Sequence, residues 1–224
     1  MKYSKPLVLG ISEEVGWSLY HLPNLEKLIE LFRVYLMKLY NNGIEEFIIV
    51  VGDRWRHKFA KFLVNLDLDI ELIILHNIEW FRGSGTILAS LGEIVNSNIV
   101  MMYNALASYN LIRRFLEEED YSFGVCDRDR VMEIFRKELK LKVYYNGHIH
   151  LHREGEEIIS GPFMFKKEVF SISKRFNMIY DRFEISDILK TILLGCRVKA
   201  LRIHKDDLIP LDKLVTYKAS WFRA

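Results

Sequence analysis

The stretch Asn42-Gly-Ile-Glu-Glu-Phe-Ile-Ile-Val-Val-Gly52 is the part of this sequence that decides its predicted fold. Its five consecutive apolar residues, Phe47–Val51, do not alternate with polar ones, which is typical of a strand covered on both faces of a parallel sheet. Before this strand, Asn41-Asn42-Gly43 contains a glycine that can adopt the left-handed backbone conformation in which helices often end. Apolar residues at helical spacing lead up to that stop, so the sequence predicts a helix from Pro23 to Asn41.

The same alternation of short strands and amphipathic helices continues along the chain. Strands separated by helices of about ten residues predict right-handed βαβ units and a mainly parallel sheet. After Tyr121, Asn146-Gly147 between two extended runs predicts a β-hairpin. The predicted strands are 5–11, 47–51, 70–75, 99–103, 123–126, 139–145, 148–152, 158–165 and 198–203, and the predicted helices are 23–41, 55–63, 86–95, 106–116, 167–173 and 185–194. We therefore predict an α/β protein: a three-layer α/β/α Rossmann-like fold with a mainly parallel sheet and an added β-hairpin in its second half.

The composition predicts one globular domain over residues 1–224, because 50% of the residues are hydrophobic, 28% are charged, and no linker-like segment divides the chain. The longest apolar run, Phe47–Val51, is far shorter than the roughly 20 residues of a membrane span. The N-terminus lacks a secretory-signal pattern, so we expect a cytoplasmic protein. A formal net charge of +2 is too small to require nucleic acid or an anionic membrane as a partner. Abundant lysine and glutamate without any glutamine predict growth at high temperature.

Candidate ligand-binding residues follow the predicted strands, since open α/β sheets bind ligands outside the carboxyl ends of their strands. Gly83-Ser-Gly-Thr86 precedes a helical pattern, so its backbone N–H groups can contact a phosphate or a base edge. The alternative is an ordinary loop in which Ser or Thr caps the helix. Asp127 and Asp129 are candidate ligands for a divalent cation, and the alternative is a surface ion-pair cluster with Arg128 and Arg130.

His148, His150 and His152 alternate along one predicted strand and therefore share a face. The outer two are about 13 Å apart along a strand. A zinc ion binds nitrogen at about 2 Å, so it needs two of these histidines together with another ligand. The sequence leaves open whether this is a metal site or a solvated hairpin face.

Five motifs together resemble a known family. Leu28-Ile-Glu30 with the 42–52 stretch looks like the family's first helix and second strand. Asn77-Ile-Glu-Trp80 and Gly83–Leu88 are similar to a segment N-x-x-W-x-x-G-N-x-x-S-L that helps to hold a nucleotide. Ile99–Asn104 resembles a strand that ends in a metal-binding aspartate. The other two matches are Leu141-Lys-Val143, which is similar to a lysine–valine strand, and Ser160–Phe165, which is similar to a later D-x-G-x-F strand.

By these motifs the chain resembles the sugar-phosphate nucleotidyltransferase family, and most of all the archaeal-type CTP:inositol-1-phosphate cytidylyltransferases, over about residues 5–205. The sequence departs from the family's motifs at three places where the family has residues that bind phosphate or metal. The segment Gly10–Leu19 stands in the place of a glycine-rich G-x-G-x-R loop, yet it has two acids and no arginine. Asn104 and Ile159 stand where the family has its two metal-binding aspartates. A second alignment, in which Lys5-Pro-Leu matches a later K-P-L segment, would leave the chain without that first strand and loop.

The resemblance implies that a nucleotidyl group passes from an NTP, with CTP favoured, to a sugar or inositol phosphate with release of pyrophosphate. It implies a nucleotide-binding half over residues 1–120, an acceptor-binding half over 121–224, and Mg²⁺ as the cofactor. The implied site residues are Asn104 and Lys142 for catalysis, Gly10, Asn77, Gly83, Gly85 and Thr86 for the nucleotide, and Asn104, Asp53 and Asp127 for the metal. Because the motifs are degenerate, the alternative is an inactive homologue that binds a nucleotide or a sugar phosphate and regulates, either as a homo-oligomer or paired with an active paralogue.

Overall fold

The structure is a computed structural model that describes residues 3–12, 25–52, 72–127, 140–143, 147–151, 157–211 and 214. The surroundings of the side chains are described for these residues except 25–29, 127, 140–143 and 205.

Eleven strands and five helices occur in the described residues. The strands are β1 (Leu7–Ile11), β2 (Phe47–Gly52), β3 (Leu72–Asn77), β4 (Ile99–Tyr103), β5 (Ala105–Ala107), β6 (Ser122–Asp127), β7 (Lys140–Val143), β8 (Ile149–Leu151), β9 (Glu157–Phe165), β10 (Lys199–Arg202) and β11 (Leu208–Pro210). The helices are α1 (Leu25–Asn41), α2 (Thr86–Leu91), α3 (Tyr109–Leu116), α4 (Glu168–Ile179) and α5 (Ile185–Gly195). Short 3₁₀ turns lie at Trp80–Arg82 and Lys205–Asp207.

The central sheet has the strand order β3-β2-β1-β4-β9-β6-β10. Its pairings are parallel except for those of β9, which runs antiparallel to both β4 and β6. The hairpin of β7 and β8 is attached to the start of β9. The predicted α/β fold with a mainly parallel sheet and an added hairpin is thus confirmed. The chain moves from β1 outward to β3 and then returns to the other side of β1 with β4, so a topological switch point lies between β1 and β4.

Two hydrophobic clusters cover the two faces of the sheet, which confirms the three layers. Strand β1 shows how the chain builds them: Leu7, Leu9 and Ile11 pack into the cluster beneath α1 and α3, whereas Val8 points to the cluster beneath α2, α4 and α5. This is the alternation of side chains that a strand imposes. All five residues of β1 are buried, as the absence of polar residues in such strands predicts.

The predicted helix over 106–116 is wrong at its start. Residues 105–107 form β5, which pairs antiparallel with β11 in a separate two-stranded sheet. Helix α3 begins only at Tyr109, after Ser108 accepts a hydrogen bond from the Leu111 backbone N–H at 3.3 Å. The strand partner lies about a hundred residues further along the chain, so no local pattern announces it.

Other element boundaries differ from the predictions by a turn or more. Helix α4 runs to Ile179 instead of ending at 173, and α2 ends at Leu91, because Gly92 follows in a turn. The predicted helix over 55–63 lies outside the described residues. No helix in the described part of the chain has both the length and the apolar character needed to cross a membrane.

Candidate functional site

Asn104 joins three segments of chain at the switch point: its own, residues 10–12 and Leu211. Its Oδ1 accepts a hydrogen bond from the Ser12 backbone N–H at 2.8 Å, and its Nδ2 donates to Ser12 Oγ at 3.0 Å. Its own backbone N–H donates to the Gly10 carbonyl at 2.9 Å, and its carbonyl accepts from the Leu211 N–H at 3.0 Å. Asn104 has a φ of 55°, a left-handed conformation that asparagine tolerates better than most residues. The residue therefore closes the ends of β1 and β4 onto each other.

Tyr103 extends this junction toward the 83–86 loop. Its hydroxyl is within hydrogen-bonding reach of Ser84, Ser12 and Asn104. Burial raises the pKa of Tyr103 to about 12, and the nearby Glu184 carboxylate adds to the rise while the hydrogen bonds act against it. The hydroxyl is therefore neutral at physiological pH and lies among polar groups at the carboxyl ends of the strands.

The Gly83-Ser-Gly-Thr86 loop is clamped to the residues that precede α5. Ser84 donates from its backbone N–H and from its Oγ to Glu184 Oε2, at 2.9 and 2.6 Å. The Gly85 N–H donates to the Phe183 carbonyl at 3.2 Å. The remaining two amides are satisfied within the turn, with Gly83 N–H to Trp80 O at 3.1 Å and Thr86 N–H to Gly83 O at 3.2 Å. All four backbone N–H groups of the loop thus donate to the protein itself.

Packing alone requires both glycines of this loop. A Cβ at Gly83 would lie 2.3 Å from the Phe183 carbonyl oxygen, and Gly83 also has a φ of +108°. A Cβ at Gly85 would lie 2.3 Å from the Phe183 ring. The glycines that the sequence suggested for nucleotide binding therefore have a structural reason of their own. Nucleotide binding at Gly83 and Gly85 stays a prediction.

Asn77, Thr86 and Gly10, the other predicted nucleotide ligands, are buried in the fold. Asn77 Nδ2 donates to Thr86 Oγ1 at 2.7 Å, and that hydroxyl donates to the Gly83 carbonyl at 2.7 Å. A Cβ at Gly10 would lie 2.9 Å from the Met101 side chain. A nucleotide beside this loop would therefore contact atoms other than these side chains and amides.

The hairpin that carries Lys142 stands on the same rim as Asn104. Strand β9 pairs along one edge with β6, while its other edge pairs with β4 at residues 163–165 and with β7 at 157–158. Strand β7 thus continues the line of β4 beyond its carboxyl end. Six residues of β9, about 20 Å, separate the pairings of Met101 and Leu141. Lys142 pairs with His150 of β8 and lies one residue beyond Leu141, further from the end of β4.

Asn104 is the only predicted Mg²⁺ ligand whose side chain is among the described residues, and it offers an amide where Mg²⁺ prefers carboxylates. Asp53 lies outside them, and Asp127 is described only as the last residue of β6, at the same rim. Ile159 is buried and pairs with Val125. Over the described part of the chain, no group of three His, Cys, Asp or Glu residues is placed to hold a metal ion. Mg²⁺ therefore stays a prediction from the resemblance, and so does a metal at the histidines, of which His152 is not described.

Sequence reasoning missed two polar residues of this junction, Tyr103 and Glu184. One local signal was available, because Tyr103 ends an otherwise aliphatic strand with a polar group. Glu184 gave no signal, since it meets Ser84 across a sequence separation of 100 residues.

Tyr103→Phe is expected to reduce the loss of stability at alkaline pH. Because the folded-state pKa of Tyr103, about 12, lies above its ordinary value of 10.0, the neutral group stabilises the fold below pH 10 and that contribution is lost as the pH rises toward 12. The variant should lessen the fall in unfolding free energy by up to about 1.4 kcal/mol per pH unit in this window. Urea unfolding at pH 9 to 11.5 measures it, with Tyr40→Phe, an exposed tyrosine, as the control. Equal slopes for wild type and Tyr103→Phe would contradict the assignment.

Comparisons with known proteins agree with this architecture. No family model and no curated protein matches the chain. Among solved structures, the inositol-1-phosphate CTP transferase from T. maritima matches with a TM-score of 0.66 at 19% identity, over 90% of this chain and 87% of that one. UDP-glucose pyrophosphorylase from Acinetobacter baumanii matches with 0.64 at 11% identity, over 98% and 94%. The 4-diphosphocytidyl-2C-methyl-D-erythritol synthase from Anaerococcus prevotii matches with 0.60 at 12% identity, over 98% and 99%.

The chain thus has the Rossmann-like α/β fold of these nucleotidyltransferases. At 11–19% identity this likeness establishes the fold, and the activities that these proteins are named for are theirs.

Proposed function

We propose that this chain is a nucleotidyltransferase that takes an NTP, with CTP favoured, and a sugar or inositol phosphate as its acceptor. The observation that carries the proposal is the Ser12–Asn104 junction at the switch point, with the β7–β8 hairpin continuing the line of β4 above it. Ligands of open α/β sheets bind at such switch points, outside the carboxyl ends of the strands.

The proposed reaction is an in-line displacement at phosphorus. An oxygen of the acceptor phosphate attacks the α-phosphorus of the NTP, the bond from that phosphorus to the oxygen bridging to the β-phosphate breaks, and pyrophosphate leaves with the electron pair. Lys142 would neutralise the acceptor phosphate, and the neutral Tyr103 hydroxyl and the Asn104 amide would orient the bound phosphates. The position of each residue at this rim supports its role, and the role of Lys142 is also what the resemblance implies.

A second candidate function is binding of the same ligands without transfer. It is favoured by one observation: where the resembled family has a metal-binding aspartate, Asn104 presents a neutral amide that is already hydrogen-bonded to Ser12. Such a chain would regulate by holding the nucleotide or the sugar phosphate.

Calorimetric titration with CTP, followed by a pyrophosphate-release assay with inositol phosphate or sugar phosphates and Mg²⁺, separates the two candidates. Pyrophosphate release supports transfer. CTP binding without release under any of these acceptors supports the binding function. Absence of CTP binding, of pyrophosphate release and of heat when the acceptor phosphates are titrated alone contradicts both candidates.

Lys142→Ala is expected to weaken the binding of the acceptor phosphate by about ten- to a hundredfold, because a hydrogen bond to a charged group contributes about 1.5–3 kcal/mol. The affinity for CTP should change little. Lys190→Ala is the matched control, since that lysine is half-exposed on α5 and its charge pairs with Asp187 at 3.7 Å. An equal loss of acceptor affinity in both variants would contradict the role of Lys142.

A further inference from the structure

A groove of about 690 Å³ lies where helix α1 approaches the start of α3. Its lining includes Arg33, Val34, Met37 and Lys38 of α1 and residues 108–110 at the start of α3. We call this surface the α1 groove. Its volume lies within the range of about 300–1,000 Å³ that is typical of small-molecule sites. None of its described lining residues belongs to the candidate site at the rim of the sheet.

Helix α1 contributes an apolar strip to the groove, with a cation on either side of it. The helix buries Phe32 in the core beneath it, and the groove residues lie on the remaining face. At 3.6 residues per turn, Arg33 and Lys38 lie about 140° apart around the helix axis and about 7.5 Å apart along it, and Val34 and Met37 fall between them. A ligand on this strip therefore meets apolar side chains at its centre and positive charge at both edges.

The two cations of the groove have no acidic partner in the described part of the chain. Neither the Arg33 nor the Lys38 side chain forms an ion pair or a hydrogen bond there, and none of the described lining residues is acidic. Elsewhere on the surface, Arg82 and Lys190 each lie beside a carboxylate, at 3.0 and 3.7 Å. Cations without a partner are ordinary on a protein surface, but here two of them flank one concave site. Charge complementarity therefore favours an anionic occupant.

The start of α3 adds hydrogen-bond donors to the groove. The first hydrogen bond within this helix runs from the Ile112 N–H to the Ser108 carbonyl at 3.0 Å, and the Ser108 hydroxyl accepts from the Leu111 N–H at 3.3 Å. The N–H groups of Tyr109 and Asn110 precede both bonds, so no carbonyl of the helix accepts from them. Two backbone donors therefore lie in the same groove as the two cations.

Hydrogen bonds fix the two sides of the groove relative to each other. The buried Tyr35 of α1 donates from its hydroxyl to the Ala107 carbonyl at 2.9 Å, one residue before Ser108. The Ser108 N–H donates to the Asp207 carbonyl at 2.8 Å, and Ser108 Oγ donates to Asp207 Oδ1 at 3.1 Å. The Asp207 carboxylate is thus engaged by Ser108, and Asp207 does not line the groove. The groove is therefore preformed, as small-molecule sites usually are.

Size, charge and hydrogen-bond donors together fit one class of ligand. We propose that the α1 groove binds a small organic phosphate. Its phosphate group contacts Arg33, Lys38 and the N–H groups of residues 109 and 110, since both cationic side chains and free backbone amides bind phosphate oxygens. Its ring-shaped body, a nucleoside or a sugar, covers Val34 and Met37. This proposal does not rest on the proposed function.

Calorimetric titration of the full chain with ADP and, separately, with fructose bisphosphate tests the site and shows whether the body is a nucleoside or a sugar. We expect one of the two to bind with a dissociation constant below about 1 mM. The double variant Arg33→Ala/Lys38→Ala should weaken that binding about a hundredfold, because each charged contact contributes about tenfold. Lys174→Ala/Arg175→Ala is the matched control. It removes the same two charges from exposed positions of α4, on the other face of the sheet, and should bind as wild type does.

Two further measurements test where the ligand lies and what its body contributes. Val34→Asp, at a position that is 39% exposed, should weaken binding at least tenfold because it places a carboxylate between the two cations. Inorganic pyrophosphate, which has no such body, should bind more weakly than the better of the two organic phosphates.

Four results would overturn the proposal. The first is that neither organic phosphate binds, whether or not hexaglutamate, an acidic peptide, binds in their place. The second is binding that Arg33→Ala/Lys38→Ala leaves intact, since the ligand would then lie elsewhere. The third is an equal loss in both double variants, which would reflect net charge alone. The fourth is pyrophosphate binding as tightly as the organic phosphates, since the apolar strip would then contribute nothing.

Discussion

Gly83→Ala is expected to lower the free energy of unfolding by about 2–5 kcal/mol, the sum of left-handed backbone strain and a steric clash. Gly83 has a φ of +108°, and the new Cβ would lie 2.3 Å from the Phe183 carbonyl oxygen. That carbonyl belongs to the backbone and accepts the Gly85 N–H, so it cannot move without breaking the clamp between the loop and the residues before α5. Chemical denaturation of the variant measures the loss.

Gly147→Ala separates the two causes. Gly147 also has a positive φ, +75°, but no atom lies within 4 Å of the position that its Cβ would take. Only the backbone strain applies there, so the expected cost is about 1–2 kcal/mol. If the two alanine variants lose the same stability, the steric clamp at Gly83 is absent in solution.

Asn104→Ala is expected to cost about 2–4 kcal/mol of unfolding free energy. The change removes the two side-chain hydrogen bonds to Ser12, worth about 1 kcal/mol each, and it places alanine in a left-handed conformation that asparagine adopts more readily. The loss should appear in denaturant unfolding. Ser12→Ala removes one of the two bonds to Asn104 and the contact of the Ser12 hydroxyl with Tyr103, but no backbone preference, so it should cost only about 1–2 kcal/mol.

Asn104→Asp should fold nearly as well as wild type and differ in its chemistry. A carboxylate still accepts from the Ser12 N–H, and the Ser12 hydroxyl can turn to donate to the second oxygen. The added charge at the switch point should raise the affinity for Mg²⁺ at least tenfold, about 1.4 kcal/mol, in a calorimetric titration. An aspartate variant that gains no Mg²⁺ affinity would show that residue 104 does not face a cation site.

The central strands were predictable because burial on both faces leaves a local mark. Phe47–Val51 contains no polar residue, and all of it is buried in β2. The Asn42-Gly43 helix stop was equally local, and Gly43 does have a positive φ of 87°. Strand β5 was not predictable, since Ala105–Ala107 is too short to show a period and is extended only because β11 pairs with it.

The contacts at the candidate site were less predictable than its position in the fold. The rule that ligands bind at the carboxyl ends of the strands points to the rim where Asn104 meets Ser12, and ligand binding there stays a prediction. It did not reveal that Glu184 accepts a hydrogen bond from the Ser84 backbone N–H. The two residues are a hundred positions apart, so the sequence near Gly83–Thr86 contains no sign of that contact. The glycines of that loop were interpreted as ligand contacts, and the structure gives them a packing reason as well.

The sequence by itself determined the class of fold, because the order of apolar strands and amphipathic helices depends on residues close together along the chain. The tertiary structure decided which polar groups meet at the rim and which apolar residues stay uncovered. Those outcomes depend on contacts between segments about a hundred residues apart, such as Arg82 with Asn177, and a hydrogen bond of that kind exists only once the layers have packed.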